Sequence, residues 1–527
     1  MKINVKRLLF LVHRWLGIVL CALFAMWFVS GVVMMYVGYP KLTESERLAH
    51  LPALRAGAGL LPPAEAMAAA GLAGPLKELR LANARGGRAV YLPVPEAADG
   101  YARQGAGKTA MAAIAVDATT GARVPATDRA SAMASAAAYA GPEVGLRYLG
   151  PVGEDAFTHT RALDGHRPLH RVQLADADQT LLYISGRTGE VVRDAPRTER
   201  LWNYAGAWIH WLYPLRGNVF DRYWADIVNW LSIAGTATVL AGVAVGLLRW
   251  RFKRPYRNGA RTPYQDRMMR WHHIGGLLFA ATTATWIFSG LMSMNPWRIF
   301  DSGAGPLRMA ALEGAPLRPG AGDATPDALL AAAGAGVREL RWTPVMGNTV
   351  VRARTPSGAP LLLDGASARP VALDTAALQK AAAGLLPAAV ERIERLTAYD
   401  LYYYGRDAHT MNGGADKPLP VLRIAFADAP RSWVHIDPHT GAVVARSDRY
   451  KRTSRWLFAM LHSWDWLPLL ERRPLWDGLL ILLSAGGAVM SVTGVVIGWR
   501  RLGTKLRPGG RRARNGRAGP GASPSVG

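Results

Sequence analysis

The segment His13-Arg14-Trp15-Leu16-Gly17-Ile18-Val19-Leu20-Cys21 leads into a run, residues 15–40, without a single Asp, Glu, Lys or Arg. At about 1.5 Å per residue, a 22-residue helix is about 33 Å long, enough to cross a hydrocarbon core of about 30 Å. This 26-residue run therefore reads as a membrane helix. It is too long for the apolar core of a signal peptide and lacks a convincing small-residue cleavage site, so it reads as a retained anchor. Three further runs are equally free of charge: 227–248, 271–297 and 478–499.

The flanks of these runs give them sidedness. The 527-residue chain has 63 Lys and Arg against 38 Asp and Glu, a net charge of +25. Residues 1–14 carry four cations, residues 249–270 carry eight, and residues 500–527 carry eight, with Asp266 the one anion among them. These segments supply +19 of the +25. Cytoplasmic flanks collect Lys and Arg in this manner, so both termini and the central loop are expected in the cytosol, and no nucleic acid partner is needed to explain the basicity. The lone cysteine, Cys21, excludes a disulfide scaffold and a c-type haem, which requires a Cys pair ahead of a His.

The expected order is a cytoplasmic N-terminus (1–14), span 1 (15–40), a first periplasmic domain (41–225), span 2 (226–248), a basic cytoplasmic loop (249–270), span 3 (271–297), a second periplasmic domain (298–475), span 4 (476–499) and a disordered basic tail (500–527). The periplasmic segments read as α+β. Thr325-Pro326-Asp327 looks like a helix start, residues 349–354 and 360–364 look like strands, and the segments closing on Gly121 and Gly441 look like turns. The fold class is thus an α-helical integral membrane protein with α+β outer domains.

The chain is also written twice. At an offset of 259, His13, Gly17, Trp27, Ser30 and Gly31 fall on His272, Gly276, Trp286, Ser289 and Gly290. At an offset of 252, Ile184, Thr188, Gly189, His210, Trp224, Ser232, Gly242 and Gly246 fall on Ile436, Thr440, Gly441, His462, Trp476, Ser484, Gly494 and Gly498. Both halves start on the same side, which predicts parallel repeats related by an axis along the membrane normal.

Five of the twelve histidines lie at or near span ends. His13 and the His272–His273 pair belong to cytoplasmic ends, His210 and His462 to periplasmic ends. A two-fold axis would set each repeat-related pair face to face. Imidazole pairs in an apolar bundle suit b-type haem with both axial positions filled, an arrangement for electron transfer. His13, His272, His210 and His462 are the expected axial ligands of one or two haems b. Repeat alignment favours His272, whereas a different helix rotation would select His273. For a lone interfacial His, bonding to a carbonyl or a headgroup would be the better reading; two duplicated pairs tilt the balance towards haem.

Other signals carry less. The aromatic cluster in 201–213 and Tyr402-Tyr403-Tyr404 could receive a bulky chelate, but an interfacial belt explains most of them. His166 with His170, and His435 with His439, have a spacing that only weakly suggests a metal. Gly105-Ala106-Gly107-Lys108-Thr109 resembles a phosphate loop, yet the motif's first glycine would fall on Ala102. The central loop is too short for a nicotinamide or flavin domain, so a cytosolic or membrane electron donor would be a separate molecule.

His13-Arg14-Trp15-Leu16-Gly17, the His272/Gly276 repeat of it, the turn ending at Thr440-Gly441, the three tyrosines with Pro418-Leu419-Pro420 downstream, and the His462 segment together resemble the PepSY-associated transmembrane family. This family includes iron-regulated inner-membrane proteins and siderophore-iron reductases. The resemblance covers about residues 5–502. It implies a four-helix bacterial inner-membrane core binding haem b, PepSY-like periplasmic domains, and reduction of a ferric siderophore or other Fe(III) chelate to release Fe(II). His273, standing where the first half has Arg14, departs from the pattern. The alternative is a membrane-anchored PepSY protein that binds peptides or regulates a protease without redox activity. Ion-coupled transport is disfavoured because the span centres hold no ionisable carboxylate, Lys or Arg.

Overall fold

The structure is a computed structural model and describes residues 5–72, 74–96, 111–406 and 417–506. The phosphate-loop-like segment at 105–109 and the tail from 507 lie outside the described residues. The chain divides into two compact units. One contains residues 1–36, 206–299 and 454–527, and the other contains 37–205 and 300–453.

The first unit is helical. Val5–Met34, Asp221–Arg249 and Leu475–Thr504 are each long and apolar enough to cross a membrane. The third expected span is broken. Arg267–Leu278 and Ala280–Ser293 meet at 69°, so among the described residues there are three such helices, or four if the bent pair is one span. The break falls at Phe279, whose backbone leaves the helical region (φ −98°, ψ 15°). It follows the Gly275-Gly276 pair, and such pairs weaken a helix locally. The Phe279 ring fills the space where Gly486 would carry a Cβ, and so anchors the bend.

Helices in lipid gain little from burying apolar surface against one another, so close packing through small residues matters. A Cβ on Gly235 would lie 3.0 Å from Ile287 and 3.1 Å from Phe24, and one on Gly487 would collide with Phe28. Two threonine hydroxyls of the second helix bond back to the preceding turn. Thr238 Oγ1 donates to the Ala234 carbonyl at 2.7 Å and Thr236 Oγ1 to that of Ser232 at 2.8 Å, which satisfies these two donors in an apolar setting.

The second unit is α+β. Strands β1 (Leu76–Arg85), β2 (Arg88–Pro95), β3 (Val116–Asp117), β4 (Leu146–Val152), β5 (Leu169–Leu174), β6 (Leu181–Ser185) and β7 (Val191–Ala195) come from the first half of the chain. The second half gives β8 (Glu339–Val345), β9 (Asn348–Arg354), β10 (Leu361–Asp364), β11 (Val390–Leu396), β12 (Val421–Phe426), β13 (Trp433–Ile436) and β14 (Val443–Ser447). Each half builds its own four-stranded antiparallel meander, β4-β5-β6-β7 and β11-β12-β13-β14. The remaining strands form one shared sheet, β10-β9-β8-β1-β2-β3. The two outer segments, expected as separate domains at 41–225 and 298–475, are therefore joined. Residues 206–225 and 454–475 group with the helices instead.

The joint is β1 against β8, with Leu79 opposite Trp342 and Leu81 opposite Leu340, all four at most 1% exposed. On the polar side of this joint, fully buried Glu339 receives Arg47 at 2.6 Å, Arg341 at 2.8 Å and Arg80 at 3.4 Å. Glu44 bonds Arg47 and Arg341, both at 2.9 Å, as well as Arg354. Burial alone would raise the Glu339 carboxyl, but Arg47, Arg341 and Arg80 outweigh it and hold the group below its ordinary range. The anticipated turns form: Asp117 Oδ1 accepts the Thr119 and Thr120 N–H groups, and Gly121 takes φ +71°. Thr325 caps the helix Pro326–Ala333.

Candidate functional site

Four of the five singled-out histidines come together as two pairs within the helical unit. His13, on Val5–Met34, faces His272, on Arg267–Leu278, with ring centroids 6.1 Å apart. His210 faces His462 at 6.2 Å. Two imidazoles sharing one metal ion at a metal–nitrogen distance of about 2.0–2.1 Å, the zinc–histidine value, would have ring centres roughly 6 Å apart. Both separations fit that value.

The hydrogen bonds favour the same nitrogen in each ring. His13 Nδ1 lies 3.1 Å from the Thr238 carbonyl, and His272 Nδ1 lies 3.2 Å from that of Met490 and 3.1 Å from Thr493 Oγ1. Thr238 and Met490 are themselves related by the 252-residue offset. His210 Nδ1 lies 2.9 Å from Ser30 Oγ, and His462 Nδ1 lies 3.0 Å from Ser289 Oγ. Each serine hydroxyl donates its proton to its own helix, at the Met26 and Trp286 carbonyls respectively, so its lone pairs face the imidazole. A carbonyl or such a hydroxyl accepts from Nδ1–H, which fixes the tautomer with the Nε2 lone pair available to a metal.

Glycines make room for the rings. A Cβ on Gly242 would lie 2.6 Å from His13 Cε1, and one on the equivalent Gly494 would lie 3.2 Å from His272 Cε1. Trp224 Nε1 donates to the Trp211 carbonyl at 2.8 Å, and Trp476 Nε1 donates to the Ser463 carbonyl at 3.0 Å. Thus in each half an indole pins the residue that follows the histidine. A kink at Gly206 (φ −99°, ψ −109°) precedes His210, and a single π-turn at Trp456–Met460 precedes His462; single π-turns are frequent at functional sites. Beside His462, Arg455 reaches buried Asp465 through Nη1 at 2.8 Å.

His273 stands outside the facing pairs. Its Nε2–H donates to the Gly246 carbonyl at 2.9 Å, and its Nδ1 accepts from Thr262 Oγ1 at 2.7 Å. With both nitrogens engaged and Trp250 and Tyr264 packed edge-on against it, the residue is a structural clamp, and His272 is the member of the two that meets His13. Sequence reasoning missed the roles of Ser30, Ser289, Gly242, Gly494, Trp224 and Trp476, although the repeat comparison had marked every one of them.

The weaker candidates are engaged elsewhere. Tyr403 is fully buried, stacked 4.8 Å from His435, with its hydroxyl on the Pro418 carbonyl at 2.8 Å; Tyr404 is also buried. His435 accepts from Arg423 Nε at 2.9 Å, and burial followed by the Arg423 charge lowers its pKa to about 4. His439 contacts the Pro360 carbonyl, His166 bonds Ser185, and His170 bonds Tyr148. Among the described residues, no group of three or more His, Cys, Asp and Glu side chains is placed to hold a metal ion.

No curated protein matches the chain. A family model described as the PepSY-associated TM region matches residues 10–414, a stretch that takes in His13, His210 and His272 and most of both units. The chain is therefore a membrane protein that belongs to the PepSY-associated transmembrane family.

Proposed function

We propose that the protein is an inner-membrane b-type haem protein that passes electrons across the bilayer to periplasmic ferric siderophores or similar Fe(III) chelates. In this reading the bent pair counts as one span. Four spans then form two parallel repeats, with both termini and the loop 249–270 cytosolic and the sheet-bearing unit periplasmic. The basic flanks support that orientation through the positive-inside bias. His13 with His272, and His210 with His462, would each hold one haem. A six-coordinate b haem supplies one-electron transfer without an open position for oxygen.

The observation that carries the reading is the pair of ring separations, 6.1 and 6.2 Å, with Nδ1 of all four rings directed to helix acceptors. The chain's own part is to hold these imidazoles in one tautomer and exclude other ligands. Hard oxygen chelators bind Fe(III) far more tightly than Fe(II), so one electron delivered to such a chelate loosens its metal for uptake. An acid–base triad is not required.

The purified protein is expected to show sharp reduced bands of six-coordinate b haem. His13→Ala and His462→Ala should each remove about half of the haem while leaving the protein folded, as measured by haem-to-protein ratio. Reduced protein mixed anaerobically with a ferric siderophore should then reoxidise. A folded, colourless preparation would defeat the redox reading and leave the anchored peptide-binding alternative.

A further inference from the structure

The segment between the second helix and the bent pair is more highly organised than a charged tether requires. All eight cations of 249–270 are exposed. The backbone beneath them is closed by the Arg251 N–H on the Arg261 carbonyl and the Tyr256 N–H on the Ala260 carbonyl, each at 2.9 Å. Side chains complete the closure: the Tyr256 hydroxyl donates to the Arg249 carbonyl at 2.9 Å, and the Arg261 guanidinium donates to the Phe252 carbonyl at 2.8 Å. The one anion, Asp266, is occupied in capping the next helix by accepting the Met269 N–H at 3.0 Å.

This hairpin is pinned to the helix that carries His272. Thr262, 2% exposed, donates to His273 Nδ1, and His273 Nε2–H ties the same ring to the Gly246 carbonyl. Trp250 and Tyr264 close on the imidazole at 5.7 and 5.3 Å. Because His273 directly follows His272, the hairpin and the His272 ring are fixed to the same helical turn.

Membrane orientation and attraction to anionic lipid need only charge near the span ends, which a shapeless basic chain would supply. A fixed array of cations on a self-bonded hairpin matters when the partner also has a fixed shape. The geometry points to the 249–270 hairpin as the docking surface for an acidic, soluble one-electron carrier protein, which brings its redox centre to the His13–His272 end of the bundle. The inference rests on the haem reading for its purpose but not for the binding itself. In the net reaction the carrier loses one electron and the ferric chelate gains it on becoming ferrous. No covalent bond forms or breaks, and no other reductant is required.

The test uses the full chain in nanodiscs of zwitterionic phosphatidylcholine, with a flavodoxin as the acidic probe and binding read by surface plasmon resonance. Opposite-charge docking should weaken at least about tenfold as salt rises from about 0.02 to about 0.3 M. The exposed triple variant Lys253→Glu/Arg254→Glu/Arg257→Glu should weaken it at low salt by at least as much, and the neutral Gln triple should fall between. An unchanged melting temperature will establish that the fold is intact. No binding to the wild type in these discs, or equal binding by wild type and both triples, overturns the proposal. So does a charge effect seen only on attachment to phosphatidylglycerol vesicles, which would make the loop a lipid anchor. Salt-sensitive carrier binding by a preparation without haem would uphold the docking surface while defeating the haem reading.

Discussion

The two histidine pairs have nearly the same separation but are held by different means. His13 is tied to the Thr238 carbonyl alone, and His272 to the Met490 carbonyl and the Thr493 hydroxyl together; both sit over glycines on neighbouring helices. His210 and His462 are tied to serine hydroxyls and follow a kink at Gly206 and a π-turn at Trp456–Met460 respectively. A carbonyl within a helix is fixed by the backbone, and a mutation cannot delete it. A serine hydroxyl can rotate and can be removed without disturbing the helix. His13 is therefore sensitive to whatever occupies the space around it, and the second pair to the chemistry of its acceptors.

This difference can be broken most forcefully at Gly242. A Cβ there would lie 2.6 Å from Cε1 and 2.7 Å from Nδ1 of His13, closer than any relaxed contact. Gly242→Val should expel the His13 ring from its position and remove about half of the bound haem, while the His210–His462 spectrum persists. Gly31, whose added Cβ would lie at 3.7 Å from His210 Cε1, has ordinary contact room, so Gly31→Ala should leave the haem-to-protein ratio unchanged. Equal loss in both variants would erase the distinction between the pairs.

The serines provide a smaller effect with the opposite address. Ser30→Ala and Ser289→Ala each delete an acceptor for Nδ1–H and leave the helix intact. Removing such a partner of a metal-bound imidazole weakens metal affinity by about 10–100-fold. Haem titration of the apoprotein should show that loss at the His210–His462 site alone. An undiminished affinity would mean that the serine bonds do not hold these rings.

The three long apolar helices were legible because charge and apolarity along one chain segment report directly on a membrane. The facing of His13 with His272 followed from the repeat. Ser30 and Ser289 were visible as matched letters but carried no role, because each acts on a histidine about 170–180 residues away, aligned in the other register. The break at Phe279 depends on the space at Gly486 on a distant helix, and local sequence offers only the Gly275-Gly276 pair. The common sheet was illegible for a similar reason. Nothing in Leu76–Arg85 or Glu339–Val345 taken alone says that these strands pair with each other across the two halves, and the Glu339 cluster that seals the joint draws its arginines from both. His273 was ambiguous from sequence because two adjacent imidazoles differ only in the direction each points.

The smallest expected effect concerns ring orientation alone. The His13 and His272 planes are inclined at 35°, whereas those of His210 and His462 stand at 75°. The angle between axial imidazole planes alters the splitting of the iron d orbitals without changing the number or identity of the ligands. Low-spin ferric haem held by the more nearly perpendicular pair should give the more anisotropic electron paramagnetic resonance signal, with its largest g value at lower field. Two distinct low-spin signals are thus expected in the oxidised protein, and Gly242→Val should remove the less anisotropic one. The Ser30→Ala change frees the His210 ring to turn, so it should move the other signal without abolishing it. If a single isotropically similar signal persisted through both variants, the carbonyl and hydroxyl tethers would not be what sets the ring planes, and the contrast between the pairs would reduce to their surroundings.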